Sequence, residues 1–157
     1  MSQTQYQKVR EFMQAFGQEC PERPVIPSSK IRELRLQLHE EECVNEYCLA
    51  IDANDLVKVF DSVLDGLVVV LGTAIAFGIT EEMVAKGFAE VHRSNMSKFW
   101  TTAELEAHYK ANGKGGLDFT MTGCSPGRFI CKDATGKVIK SPSYSPANLG
   151  PILEGTK

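Results

Sequence analysis

At 157 residues, with 43% hydrophobic and 24% charged side chains, the chain has the length and composition of one soluble globular domain with a real core. Its net charge of −3 gives no electrostatic invitation to nucleic acid or to an anionic membrane. The longest strongly apolar run, residues 67–79, is too short to span a bilayer. The N-terminus lacks a signal peptide's apolar stretch, so a cytoplasmic location is expected.

In residues 5–16, Val9, Phe12, Met13 and Phe16 recur at helical spacing, and Gly17 can end that helix. Three prolines in CPERPVIPSS make residues 20–29 an extended connector. Ser28 or Ser29 can cap a second helix over about 30–50. It has two apolar sides, one through Leu34 and Leu38 and the other through Leu36 and Tyr47, so it is expected to pack against more than one neighbour. Asp52 or Asn54 can cap a third helix over about 55–77, the most apolar of the chain, ended by Gly78. Gly66 and Gly72 within it either admit a close neighbour or cost about 1 kcal/mol each. Thr80 followed by Glu81 and Glu82 starts a fourth helix, to about 95, that packs Met83, Val84, Phe88 and Val91. Four helices on short connections imply a bundle.

After Ser97 the texture changes. Thr101 or Thr102 can cap a short helix through Tyr109, and ANGKGG reads as a loop. FICK and KVIK around DATG form a small β-hairpin, and a proline-rich tail follows that is expected to drape over the bundle. The cysteines, Cys20, Cys43, Cys48, Cys124 and Cys131, are odd in number and irregularly spaced, which suits reduced thiols better than a disulfide framework or a zinc site.

The second and third helices carry acidic residues on otherwise apolar stripes. At 100° per residue, Leu34, Leu38, Glu41, Glu42, Asn45, Cys48 and Leu49 share one side of the second helix, with Glu46 at its edge. Asp61 and Asp65 stand one turn apart on the third, flanked by Ser62. Carboxylates withdrawn from water cost several kcal/mol each unless compensated. Lys58 could pair with Asp61, but nothing basic in the sequence adjoins Glu41, Glu42 or Glu46. Hard divalent cations, Mg²⁺ or Mn²⁺, are the natural compensation and are commonly shared with substrate phosphates. The bland alternative is a solvated acidic helix face.

In order, VREFMQAFGQECPERPVIP, LRLQLHEEECVNEY, DSVLDGLVVVLGTAIAFGI, FAEVHRSNMSKF and DATGKVIKSPSYSPANL resemble the MazG-like, or phosphoribosyl-ATP pyrophosphohydrolase-like, all-α nucleoside triphosphate pyrophosphohydrolases, and within them the branch of the dimeric dUTPases. The resemblance implies an all-α fold, a four- to five-helix bundle with a small C-terminal β-hairpin. Residues 1–98 would form the core, with 99–157 as an added segment, hairpin and tail on the same domain. It also implies EExxE and ExxD motifs that bind Mg²⁺ and cleave an NTP between its α- and β-phosphates. Glu41 and Glu42 match the first two positions of EExxE, but Asn45 stands at the third; Asp65 closes ExxD, but Ser62 stands at its glutamate. Glu46 and Asp61 adjoin these departures. The expected set is Glu42, Glu46, Asp61 and Asp65 on metal, Asn45 and Ser62 as neutral ligands or supporting donors, and Glu41 orienting or deprotonating water. In HRSNMSK, Asn95, Lys98 and Arg93 are expected to contact the nucleotide. Candidates for stacking on the base are Phe12, Phe16, Trp100, Tyr109 and Tyr144, whereas His39 and His108 read as surface residues.

The expected function is a Mg²⁺-dependent pyrophosphohydrolase of a nucleoside triphosphate, dUTP or another pyrimidine dNTP, yielding (d)NMP and pyrophosphate. A weakly catalytic nucleotide-binding regulator and a purely structural helical module are the alternatives. The protein is expected to form a homodimer or homotetramer, with neither nucleic acid nor membrane as a partner.

Overall fold

The computed structural model describes residues 2–113, 118–121 and 126–155. It is predominantly helical, and its residues group into two compact units, Met1–Ala85 with Ile152–Lys157, and Lys86–Pro151.

The first unit is the helical core. Helix α1 (Gln5–Ala15) opens with a capping box in which Thr4 and Gln7 satisfy each other's backbone N–H. Its Tyr6, Val9 and Met13 are buried against Leu71, Ile75 and Ala76 of α4 (Leu56–Ala76), with Val84 of α5 (Glu81–Met96) packed alongside. The Tyr6 hydroxyl donates to the Ile79 carbonyl at 2.9 Å, which ties α1 to the turn after α4. Gly78 takes φ +67° in that turn, and a Cβ there would collide with the Arg23 carbonyl. The connector is held by the Val25 N–H donating to the Phe77 carbonyl at 3.0 Å.

The second predicted helix is one rod with a change of pitch. Helix α2 (Ser29–Glu40), capped by the Ser28 hydroxyl on the Ile31 N–H, runs into a π-helical turn (Glu41–Glu46) and continues as α3 (Tyr47–Asp52). The π turn absorbs extra chain, so faces assigned at 100° per residue slip beyond it. Leu49, expected on the inner stripe, is 69% exposed, while Ala50 is 2% exposed in its stead. The cap of α4 also differs from the expectation of Asp52 or Asn54: Asp55 accepts from the N–H groups of Val57 and Lys58 at 3.0 and 3.2 Å. Asn54 instead holds the positive φ of the turn, +52°.

Helix α4 is 21 residues long and, by length and composition, long and apolar enough to cross a membrane; 28% of its most apolar stretch is buried. The apolar run at 67–79 understated it, because the helix extends back through Leu56. Gly72 and Gly66 accept neighbours closely. A Cβ on Gly72 would lie 2.8 Å from Nη1 of Arg35, and one on Gly66 would lie 3.5 Å from the Cys43 sulfur.

In the second unit, β1 (Trp100–Thr101) leads into α6 (Thr102–Asn112), whose N-terminus is closed by a Thr101–Glu104 capping box. The expected hairpin is present as β3 (Arg128–Lys132) with β4 (Val138–Ile139). Its turn is built on Asp133, whose carboxylate accepts from the N–H groups of Thr135 and Lys137, with Gly136 at φ +83°. Antiparallel β2 (Asp118–Met121) pairs with the other edge of β3, which makes a small sheet of the hairpin. Trp100, Leu105 and Cys131 form its core, with the indole N–H donating to the Ile139 carbonyl at 3.0 Å. Burial, and secondarily the Glu104 charge, push the Cys131 thiol up to about 11, so it is a packing residue. Cys20, Cys43, Cys48 and Cys131 are free thiols, while Cys124 and part of the ANGKGG loop lie outside the described residues. The tail is bound to the unit's helices by side chains: Ser97 Oγ accepts from the Ser145 N–H at 3.0 Å, and Glu104 from the Ser143 N–H at 3.1 Å. A short helix, α7 (Gly150–Glu154), closes the description.

Candidate active site

Carboxylate oxygens of Glu42, Glu46 and Asp65 lie within 4.8 Å of one another, at a spacing where one cation could be shared among them. The π turn bears on why these residues meet. On a continuous α-helix the stripe through Leu38 and Glu42 runs on to Asn45 and Leu49; with the extra residue taken up, it runs on to Glu46 and Ala50. Burial of Ala50 and exposure of Leu49 record the same one-residue shift.

The cluster is electrostatically uncompensated. Burial raises the pKa of Glu42 above its ordinary value, and the charges of Glu46, Asp65 and Glu41 and a hydrogen bond with Glu46 push it the same way. No cation figures among these influences. Oxygen donors without a counter-charge suit a hard divalent ion.

The other expected site residues fall elsewhere. Asp61 stands outside the convergent group and lines a shallow groove with Glu46, Leu49, Ala50, Lys58 and Ser62. Ser62 is buried and donates to the Lys58 carbonyl one turn back at 2.9 Å, so its proton is committed to its own helix. Asn45 and Glu41 are exposed on the π turn. In the second unit, Lys98 Nζ donates to Asn95 Oδ1 at 2.8 Å, and both line a cavity of about 170 Å³ with Phe99, Ile130 and Val138. The Arg93 guanidinium is engaged with Glu90 at 2.7 and 2.8 Å and with the Pro146 carbonyl at 3.1 Å, which makes it a clamp on the tail. That hydrogen bonding, with the Asn148 N–H, takes Glu90 down to about 2.

A cavity of about 300 Å³ adjoins the acidic cluster. Glu42 and Asp65 line it together with Phe12, Leu34, Leu38 and Val68. Of the aromatic candidates, Phe12 borders this cavity, whereas Trp100 is core and Tyr144 carries the Lys140 ammonium 4.2 Å above its ring. Phe16 lies 4.6 Å from Phe12, ring centre to ring centre, and is 71% exposed.

Two residues of this region were not read from the sequence as functional. Arg35 lines the cavity, although it is 7% exposed. An arginine sandwiched between Leu34 and Leu38 near an apolar stripe was the available signal. His39, expected at the surface, bridges α2 and α4: its Nε2 lies 3.1 Å from Thr73 Oγ1, whose own hydrogen goes to the Val69 carbonyl. With that hydrogen on Val69, Nε2 is placed to donate to Thr73, and Nδ1 lies 3.6 Å from the Cys43 sulfur.

No curated protein matches the chain. The family model of phosphoribosyl-ATP pyrophosphohydrolase matches residues 9–95, a span that runs from α1 through the acidic cluster to the end of α5. With more than half of its length matched, the chain belongs to the phosphoribosyl-ATP pyrophosphohydrolase family, hydrolases acting on pyrophosphate bonds of nucleotides.

Proposed function

We propose that the protein is a Mg²⁺-dependent pyrophosphohydrolase that splits a nucleoside triphosphate into a monophosphate and pyrophosphate, with Mn²⁺ able to take the place of Mg²⁺. A pyrimidine dNTP, dUTP first, is the substrate favoured by the resemblance to the dimeric dUTPase branch. The observation that carries the reading is the convergence of Glu42, Glu46 and Asp65 beside a cavity of nucleoside-accepting volume.

Three mutually repelling carboxylates fit a hard divalent ion, and Glu42, Glu46 and Asp65 would hold it, while Asp61 and Ser62 line the groove that adjoins Glu46. When bound, the ion supplies neutralisation of the charge that builds on the α-phosphate oxygens and the leaving pyrophosphate. Glu41, exposed and next to Glu42, is suited to accept a proton from the attacking water. Glu46, though exposed, answers the sequence's departure from EExxE, since its carboxylate meets those of Glu42 and Asp65 on the π turn. On the family resemblance, we also assign Asn95 and Lys98 to nucleotide contact.

The apolar residues left exposed on α4, such as Leu56, Val57 and Phe60, support a homodimer or homotetramer in which a second copy covers them. Asp61 and Asp65 on the same helix weigh against a bilayer as that cover.

The test is pyrophosphate release from each common dNTP, with and without Mg²⁺. Release should require the ion, and Asp65→Asn should lower it on the order of 100-fold or more. Equal rates for all bases would remove the pyrimidine preference. Metal-dependent nucleotide binding without release would select the second reading, a regulatory homologue, which Asn45 and Ser62 at motif positions favour.

A further inference from the structure

The cavity beside the acidic cluster contains a buried cation with no counter-charge. Arg35 is 7% exposed, and no carboxylate lies within ion-pair distance of it among the described residues. Its Nη2 donates to Gln18 Oε1 at 2.7 Å and faces the Met13 sulfur at 3.7 Å, while Nε is buried without any hydrogen-bond partner. A guanidinium stays charged in a protein, so such burial is costly unless a ligand completes it. Gly72 leaves room for the guanidinium against α4, since a Cβ there would meet Nη1 at 2.8 Å.

We propose that Arg35 reads the nucleobase, donating to a ring carbonyl oxygen of a base inserted between Phe12 and the aliphatic wall of Leu34, Leu38 and Val68. This inference rests on the nucleotide site proposed above and names its specificity. Arg35 and Glu42 line the same cavity and are seven residues apart on one rod, about 10 Å of helix rise, which suits phosphates at the carboxylate end and a base at the other. Apolar walls are a poor home for a phosphate and a good one for a flat ring held by a few polar contacts. The Gln18 amide, whose Oε1 accepts from Arg35, adds its own N–H groups to the donors at this end. A fixed guanidinium at this end favours a base that turns a carbonyl oxygen toward it, whereas adenine offers only ring nitrogens as acceptors and presents its N6 amino donor where uracil presents O4.

Calorimetric binding of dUMP, dCMP, dGMP and dAMP in Mg²⁺, to wild type and to Arg35→Met, tests this. Wild type should bind dUMP about 10- to 100-fold more tightly than dAMP, the scale of a hydrogen bond to a charged donor. Arg35→Met should bind both as weakly as wild type binds dAMP, and should melt no lower than wild type, because an apolar chain replaces an unpaired buried charge. If the methionine variant melts early, Arg35→Lys, which keeps the charge but lacks the planar fork, carries the same comparison. Equal affinities in wild type, a preference unchanged in the variant, or no binding of any of the four would overturn the proposal. Monophosphates hold no pyrophosphate to release, so the two readings fail separately. A base preference that depends on Arg35 without turnover of any dNTP would sink only the enzymatic reading, and turnover indifferent to base and to Arg35 would sink only this one.

Discussion

Glu42 carries a charge that its surroundings disfavour. Its folded-state pKa is raised, first by burial and then by the neighbouring carboxylates. An acid with a raised folded-state pKa favours the folded state below its unfolded pKa, and that contribution is lost as pH rises through the folded pKa. At pH 8 the metal-free protein therefore holds Glu42 as an unfavourable charge. Glu42→Gln should raise the metal-free melting temperature at pH 8 by about 2–4 °C, and by less at pH 4 where the wild-type carboxyl is largely protonated. The same substitution should abolish any rise in melting temperature that Mg²⁺ gives the wild type. A lower melting point for the variant at pH 8 would mean that the carboxylate is not the uncompensated charge described above.

The π turn at Glu41–Glu46 is the decisive element, because it turns one extra residue of chain into a one-residue shift of face. Deleting Val44 should remove that surplus, regularise the rod to an α-helix and leave Glu42 and Glu46 three apart, still on neighbouring positions of one side. Mg²⁺ affinity, measured by calorimetry, should then stay roughly at the wild-type value. Were the rod an ordinary α-helix, the same deletion would turn α3 by about 100° against α4 and bring Ala50 out of the core, with a large fall in melting temperature. A large fall in melting temperature together with loss of Mg²⁺ binding in the deletion variant would refute the role given to the turn. Asn45→Glu, by contrast, should not improve binding, because the exposed position 45 is not the one that faces Glu42 and Asp65.

At the scale of the whole molecule, the helical core leaves a large apolar surface open. Val57 is 78% exposed and Phe60 63% on the most apolar helix, while the other side of that helix is packed around Ile75. An apolar area of this extent is unusual on a free monomer and usual at a subunit interface. Light scattering at micromolar concentration should give at least a dimer, and Phe60→Asp should shift the mass toward the monomer. A monomeric wild type would count against the oligomer proposed here.

The sequence by itself determined α1, α4, α5, α6 and the single rod that holds α2 and α3, together with the β3–β4 hairpin and the acidic character of the two central helices. These follow from local periodicity, caps and turn residues, such as Val9 and Met13 at helical spacing or Gly136 after Asp133. The pairing of Glu42 with Glu46 was already expected from the sequence; only the tertiary structure decided that Asp61 stays apart and that His39 and Arg35 turn inward. The physical reason is the range of the forces involved. A face assignment at 100° per residue fails past a π turn, whose presence no residue in EECVNE announces. The seat of Arg35 depends on the missing side chain of Gly72, which lies far along the chain and meets it only when α2 and α4 pack together.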